Sequence, residues 1–542
     1  MMWQQNGDMK MKKKLVSVML AGAMVFGLAA CGGKVDNAGK DSDSAAGTEA
    51  GASTAPAEAA IREKNDSGEY PTITMAISTS TGPTEGSSRV EALISNYTEE
   101  TYGIKTEILN YDGGNYAQQL QLGFVSGEQI DLFSSIYIGY ANSINSEYAY
   151  NLEEDDLLQN YGQGIIETVG QANLETCRVN GKIYGIPNMK EFSSGIGAFM
   201  IPKIYLDEIG YDYEAAIAAQ GTDRFVLEDT IFADYDLIDD IFAQLHEAYP
   251  DKYVFGPCKF PRQVCEVDSV GNDIFGVLFS DSKDLTLENL FENEHWLEYL
   301  RHVYQWNQKG YISPDALTDT TDIRAKIAAG EILTYPSATK PAITKEYEEE
   351  LGDMIAFMTG DYFSASNIVN NTPWCIGSNC EDPVAAMQLL NAFYTDPVLA
   401  NLLCWGEEGV DYVLDSDGMA TVPEEMTADD MEYTLEVRWT TPNQFLTYIP
   451  KGQPADLWEQ YDKMNAAAKK SLAAGFVFDN SSVQNEYIAL TNVWEEYTVQ
   501  LMFGFVDPDE KTPELVEKLK AAGLDTYMAE KQRQLDEWAA SR

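Results

Sequence analysis

The sequence predicts an α/β protein of two or more lobes with a helical C-terminal extension. Three observations carry this prediction. The chain has 542 residues, more than one ordinary core organises. Its first quarter alternates strand-like and helix-like periods, and its second half is rich in helical periodicity.

The elements follow in order. Residues 72–78 (TITMAIS) read as a buried strand. Residues 87–101 have helical spacing, with Val90, Leu93, Ile94 and Tyr97 on one face. A second strand over 104–111, a second helix over 116–125 and a third strand over 129–136 complete the pattern. Strand, helix, strand, helix, strand implies a parallel sheet with right-handed crossovers. Ligands then sit beyond the carboxyl ends of the strands, here Thr79-Ser80, Tyr111-Asp112 and Ser134-Ser135. Asn180-Gly181 signals a type I′ hairpin. The Gly185-Ile186-Pro187 that follows carries the chain out of the first lobe. Asp417-Gly418 marks a second hairpin, and an EF-hand reading fails there for want of the ligand spacing and distal Glu. Helical stretches cover 285–306, 383–394, 397–405, 454–473 and 512–538.

The N-terminal segment has its own logic. Lys10, Lys12, Lys13 and Lys14 precede an uncharged apolar run over 15–28, which is too short to span a membrane comfortably and suits a signal-peptide core. Leu28-Ala29-Ala30-Cys31 resembles the bacterial lipobox, so Cys31 is the expected lipid attachment point and the protein is expected on the extracellular face of the cell membrane. Residues 32–68 are rich in Gly, Ala, Ser, Thr and Asp, the composition of a flexible tether.

Composition narrows the functional classes. Eighty-seven acidic against 36 basic residues give a net charge of −51, which repels nucleic acid and anionic headgroups. Enzyme signatures such as G-x-S-x-G, Walker A and H-E-x-x-H are missing, and no cofactor motif occurs. His295 and His302 share a helix face with Glu298, and solvated surface residues are the better reading than a metal site. The six cysteines beyond Cys31 contain no C-x-x-C pair. Cys258 with Cys265, and Cys375 with Cys380, are close enough for disulfides, and buried thiols are the equal alternative.

The order of weak motifs is informative. It runs through Phe124-Val125-Ser126-Gly127-Glu128-Gln129-Ile130-Asp131-Leu132-Phe133, Asn180-Gly181-Lys182-Ile183-Tyr184-Gly185-Ile186-Pro187, Gly310-Tyr311-Ile312-Ser313-Pro314-Asp315, Trp405-Gly406-Glu407-Glu408-Gly409 and Ala521-Ala522-Gly523-Leu524-Asp525. This order resembles the family 1 extracellular solute-binding proteins of ABC importers, in the large Gram-positive branch assigned to oligosaccharides of aldouronate type. The resemblance implies a two-lobed periplasmic-binding-protein-like α/β fold with a ligand cleft between the lobes. It implies a signal peptide over 1–30 and an anchored linker over 31–69. Lobe one would comprise 70–187 plus 375–439, and lobe two 188–374 plus 440–542. It further implies a monomer that captures an oligosaccharide, hands it to ABC permease transmembrane subunits and catalyses nothing. A receptor for peptides or other solutes, or a secreted glycoside hydrolase, is the alternative.

Aromatic residues, 11% of the chain, suit sugar rings, whose apolar faces stack on flat side chains. The candidates are those at predicted strand ends and crossings: Tyr111, Ser134, Ser135, Tyr137, Glu191, Phe192, Tyr335, Ser337, Trp374, Arg438 and Trp439. Core or rim packing is the alternative for each.

Overall fold

The structure, a computed structural model, describes residues 62–542 apart from 66–67, 81, 222–223, 320, 425, 428–429 and 436. The signal segment, Cys31 and most of the tether lie outside the described residues.

Strand β1 (Thr72–Thr79) pairs in parallel with β2 (Lys105–Asp112) along its whole length, and with β3 (Leu132–Ser134) on its other edge. Seven of the eight residues of β1 are buried, as expected of a central parallel strand covered on both faces. Helix α1 (Glu85–Tyr102) makes the crossover. It starts where Thr84 and Ser87 form a reciprocal capping box, and it turns Val90 and Ile94 onto the sheet. Helix α2 (Tyr116–Ser126) returns the chain to β3. The third strand is shorter than its sequence pattern, because Ser135 leaves the sheet and donates its N–H to Pro373 O at 2.9 Å. A returning strand, Trp374–Ile376, pairs antiparallel with β3 and closes the sheet.

This sheet has its own core, drawn from residues 73–186 and 374–435. A second, larger core collects residues from 199 to 357 and from 473 to 535. It surrounds a mixed sheet whose central strand, Ser194–Pro202, pairs antiparallel with Ile332–Thr339, Met354–Met358 and Tyr362–Ser364. Trp296, Tyr299 and Trp306 of the helix Glu294–Gln308 are fully buried there. The residues 443–451 that the sequence boundary gives to lobe two lie against the first sheet's side. Asn401 Nδ2 donates to Leu446 O at 3.1 Å, Tyr448 N to Asn401 Oδ1 at 2.8 Å, and Ala420 N to Ile449 O at 2.9 Å.

Three helices differ from expectation. The one predicted over 285–306 begins only at Glu294, where Asn293 caps it. The one predicted over 454–473 spans Leu457–Ala467. The long final helix is two, Pro508–Ala521 and Leu524–Ala540, because Gly523 takes φ 103° between them. Among the described residues, no helix is long and apolar enough to cross a membrane. The last helix is held by Lys531, whose fully buried ammonium donates to Asp273 Oδ1 at 2.7 Å and Val270 O at 2.8 Å.

Candidate ligand site at the lobe crossings

Three stretches of chain pass between the lobes, and they are hydrogen-bonded to one another. Ile186 and Trp374 exchange both backbone bonds at 2.8 Å. Met189 N donates to Pro442 O at 2.8 Å, and Gln444 N to Met189 O at 3.0 Å. Asn188, fully buried, joins all three: its amide nitrogen donates to Trp439 O, and its oxygen accepts from Thr372 Oγ1 at 3.1 Å. Trp374 Nε1 donates to Thr440 O at 2.8 Å. Buried polar groups this fully paired fix one arrangement of the strands.

The hinge is continuous with the strand ends. Ser134 Oγ donates to Thr372 O at 3.4 Å. The buried Tyr116 hydroxyl donates to Ser134 O at 2.9 Å and accepts from Ser134 N at 3.2 Å. Tyr111 and Tyr137 stand edge-on to the Tyr116 ring, with centroids 6.1 and 6.3 Å away. Tyr137 is half-exposed and holds φ 63°, a left-handed backbone that costs energy for a non-glycine residue. Ser135 Oγ is buried with no partner among the described residues.

On the lobe-two side, charge gathers where the first crossing ends. Lys190 is 3% exposed, its ammonium 5.1 Å from the centre of the Trp439 ring and 3.3 Å from Glu191 O. Burial pulls the Lys190 pKa down, with the Glu191 charge opposing. Glu191 Oε1 lies 3.9 Å from Lys340 Nζ, which also reaches Glu346 at 3.2 Å. Burial disfavours the Lys340 charge, yet Glu191, Tyr461 and Glu346 outweigh it and raise the pKa. The other Glu191 oxygen, Oε2, is buried without a hydrogen bond among the described residues. Asn465 pins this corner, accepting from Phe192 N at 2.6 Å and donating to Lys190 O at 3.2 Å.

Of the residues singled out by sequence, Tyr111, Ser134, Ser135 and Tyr137 gather at the strand ends. Glu191, Phe192 and Trp439 gather at the crossings. Arg438 stacks at 4.0 Å over Trp405, with burial lowering its pKa and Nε unpartnered among the described residues. Three candidates sit apart from these groups. Trp374, 2% exposed, packs in the first core; Tyr335, 6% exposed, packs in lobe two. Ser337 is taken up by the sheet opposite Ala198, its hydroxyl donating to Ala338 O at 3.0 Å. Sequence reasoning missed Lys190, Lys340, Asn188, Thr372 and Asn465. Only Lys190 carried a signal, as a charge three positions after the Gly-Ile-Pro crossing.

Other expectations also resolve. His295 faces Asp281 at 3.8 Å, whereas His302 stacks on Tyr235, so the two do not share a site. The six described cysteines are free thiols; Cys375 has Cys177 as its buried neighbour, and Cys380 turns to Asp131. A cavity of about 470 Å³ opens beside the hinge, touched by Met189, Phe192 and Asn465. A larger one lies between the 178–183 hairpin and the last helix.

Two α/β lobes with separate cores, joined by three mutually bonded crossings, make the fold of a solute-binding protein. The comparisons agree. The chain is 24% identical over 456 residues to a carbohydrate ABC transporter substrate-binding protein of Streptococcus pneumoniae serotype 4, covering 82% of this chain and 86% of that protein. The crystal structure of the N-glycan transport solute binding protein NgtS from Streptococcus pneumoniae matches with TM-score 0.71 at 23% identity, over 86% of this chain and 98% of that one. The same protein in complex with Man5GlcNAc matches with TM-score 0.59 at 23% identity, over 87% and 99%. An extracellular solute-binding protein from Bifidobacterium longum subsp. infantis matches with TM-score 0.59 at 15% identity, over 87% and 99%. Residues 472–540 match a family described as a domain of unknown function, DUF3502.

Proposed function

We propose that this protein captures an oligosaccharide between its lobes and delivers it to an ABC importer without chemical change. The observation that carries the reading is the hinge. Two independent cores joined by three short bonded strands move as two bodies, and a ligand touching both selects the closed arrangement. Tyr111 and Tyr137 offer ring faces on one lobe, and Trp439 and Glu191 a mixed surface at the crossings, the pairing that sugar recognition asks for. Cys31 carries the lipid that holds the protein, as a monomer, on the extracellular face beside the permease subunits.

Titration calorimetry against neutral oligosaccharides and peptides, with mass spectrometry of the recovered ligand, tests the reading. Glycan binding without products is expected. Peptide binding with no glycan response, or steady glycan cleavage that vanishes in Glu191→Gln, overturns it. Cys31→Ala is expected to leave the membrane fraction, since the lipid supplies the apolar burial; an anchored variant refutes the attachment site.

A further inference from the structure

A cavity of about 770 Å³ lies between the two lobes and shares Arg542 with the cavity beside the hinge. One wall is the hairpin Arg178–Val179 and Lys182–Ile183 of the first lobe, with the end of the helix Tyr140–Asn145. The other wall is residues 476–479 and the helix Leu524–Ala540, both within the DUF3502 match. The hairpin wall is stiff, because Asn180 and Gly181 take φ 51° and 79°, the two left-handed residues of a type I′ turn.

The charge of this cavity differs from that of the molecule. In a chain of net charge −51, three carboxylates (Glu175, Asp479, Glu537) and three guanidiniums (Arg178, Arg533, Arg542) line it. The guanidiniums are already engaged. Arg178 binds Glu175 at 2.6 Å and Glu153 at 2.8 Å. Arg533 binds Glu530 and Glu537, each at 2.6 Å. Arg542 donates to Ala474 O at 3.1 Å and stacks 4.4 Å over the Trp538 ring. An anionic ligand at Arg178 or Arg533 would have to break such a pair and leave its carboxylate uncompensated. A neutral, hydroxyl-rich ligand does not. Its hydroxyls both donate and accept, and so join the free valences of carboxylates and of the Asn180 amide. Trp538, half-buried with Arg542 over one face of its ring and Phe476 edge-on at 5.8 Å, supplies through the part left uncovered an aromatic surface for an apolar sugar face.

We infer that this cavity is a binding subsite for the distal residues of a long, uncharged oligosaccharide. The inference rests on the sugar-binding reading and adds a role for the C-terminal helix: it builds the wall that reads ligand length. The volume is within the range of small-molecule sites.

Calorimetry on the full chain with one neutral oligosaccharide series of increasing length tests this. Trp538→Ala is expected to weaken the longest members about tenfold, roughly one aromatic contact, and to leave the shortest unchanged. Trp538→Phe is expected to retain most of that affinity. Asn180→Asp keeps a residue that tolerates the left-handed turn, removes an amide donor and adds a charge, so it should give the same length-selective loss in a folded protein. Equal affinities across all lengths in wild type and both loss variants overturn the subsite, as does uniform weakening at every length. If wild type binds no member at any length, the sugar-binding reading itself falls. Tighter binding of an acidic oligosaccharide of equal length, lost in Trp538→Ala, refutes the uncharged class.

Discussion

The second and third crossings run side by side through the hinge and are built differently. The second, residues 372–374, is closed: Thr372 is bonded to Asn188, and Trp374 is 2% exposed with its indole N–H on Thr440 O. The third, residues 438–443, is half open. Trp439 presents a ring to the Lys190 ammonium, and Arg438 Nε and Thr441 Oγ1 are buried without partners among the described residues. Two tryptophans that look alike in sequence thus have different work. One fixes the register of the lobes, and the other stands where something from outside can meet it. A hinge needs both, a rail that does not yield and a surface that responds.

The comparison is easiest to break at Trp374. Trp374→Ala is expected to cost roughly 3–5 kcal/mol of stability, the range for deleting a large buried ring, as read by denaturant melts of the apo protein. A loss below about 1 kcal/mol would mean that the second crossing is no more fixed than the third. Trp439→Ala is the sharper test of the other half. Ligand affinity should fall about tenfold, roughly 1.4 kcal/mol, while the melt moves less than it does for Trp374→Ala. Unchanged affinity with a large stability loss would move Trp439 into the core class. The smallest effect lies outside both crossings. Glu175 is held below the usual glutamate range by the hydrogen bond from Arg178, against the opposing pull of burial. Its folded pKa is depressed, so its stabilisation is present above the unfolded value and is lost as pH falls through the folded one. The pair is partly solvated, so the loss should stay under about 1 kcal/mol. Melting temperatures of wild type and Arg178→Met, compared on acidification from neutral, should converge; parallel curves would show that Glu175 gains nothing from the pair.

Much of the first lobe was legible in the sequence, because its signals are local. The apolar run of β1, the Val90 and Ile94 spacing of α1 and the Asn180-Gly181 turn each speak through near neighbours. Final-helix length was misread because helical periodicity runs on either side of Gly523, and only its backbone angle shows the break. The site was legible in part. Aromatic residues at strand ends were found, since topology alone places them. Asn188, Asn465 and Lys340 were not, because their roles come from partners far along the chain: Asn465 reaches back to Phe192, 273 positions away. No window of sequence contains both. The burial of Trp374 was not legible for a related reason. Proximity to a crossing does not say which side of the strand faces the core.

The pairing of Lys531 with Asp273 has a consequence for the order in which the molecule is made. The two are 258 positions apart, so a chain emerging from its N-terminus presents Asp273 long before its counter-charge exists. The first sheet likewise lacks the strand Trp374–Ile376 until most of the other lobe has emerged. Neither half is finished by the time the next begins, and contacts of such long range form slowly. Folding therefore ends with the docking of the last helix. Until then the partly built lobe has exposed apolar surface and an acid without its base, the state in which a newly made chain is open to proteases and to aggregation.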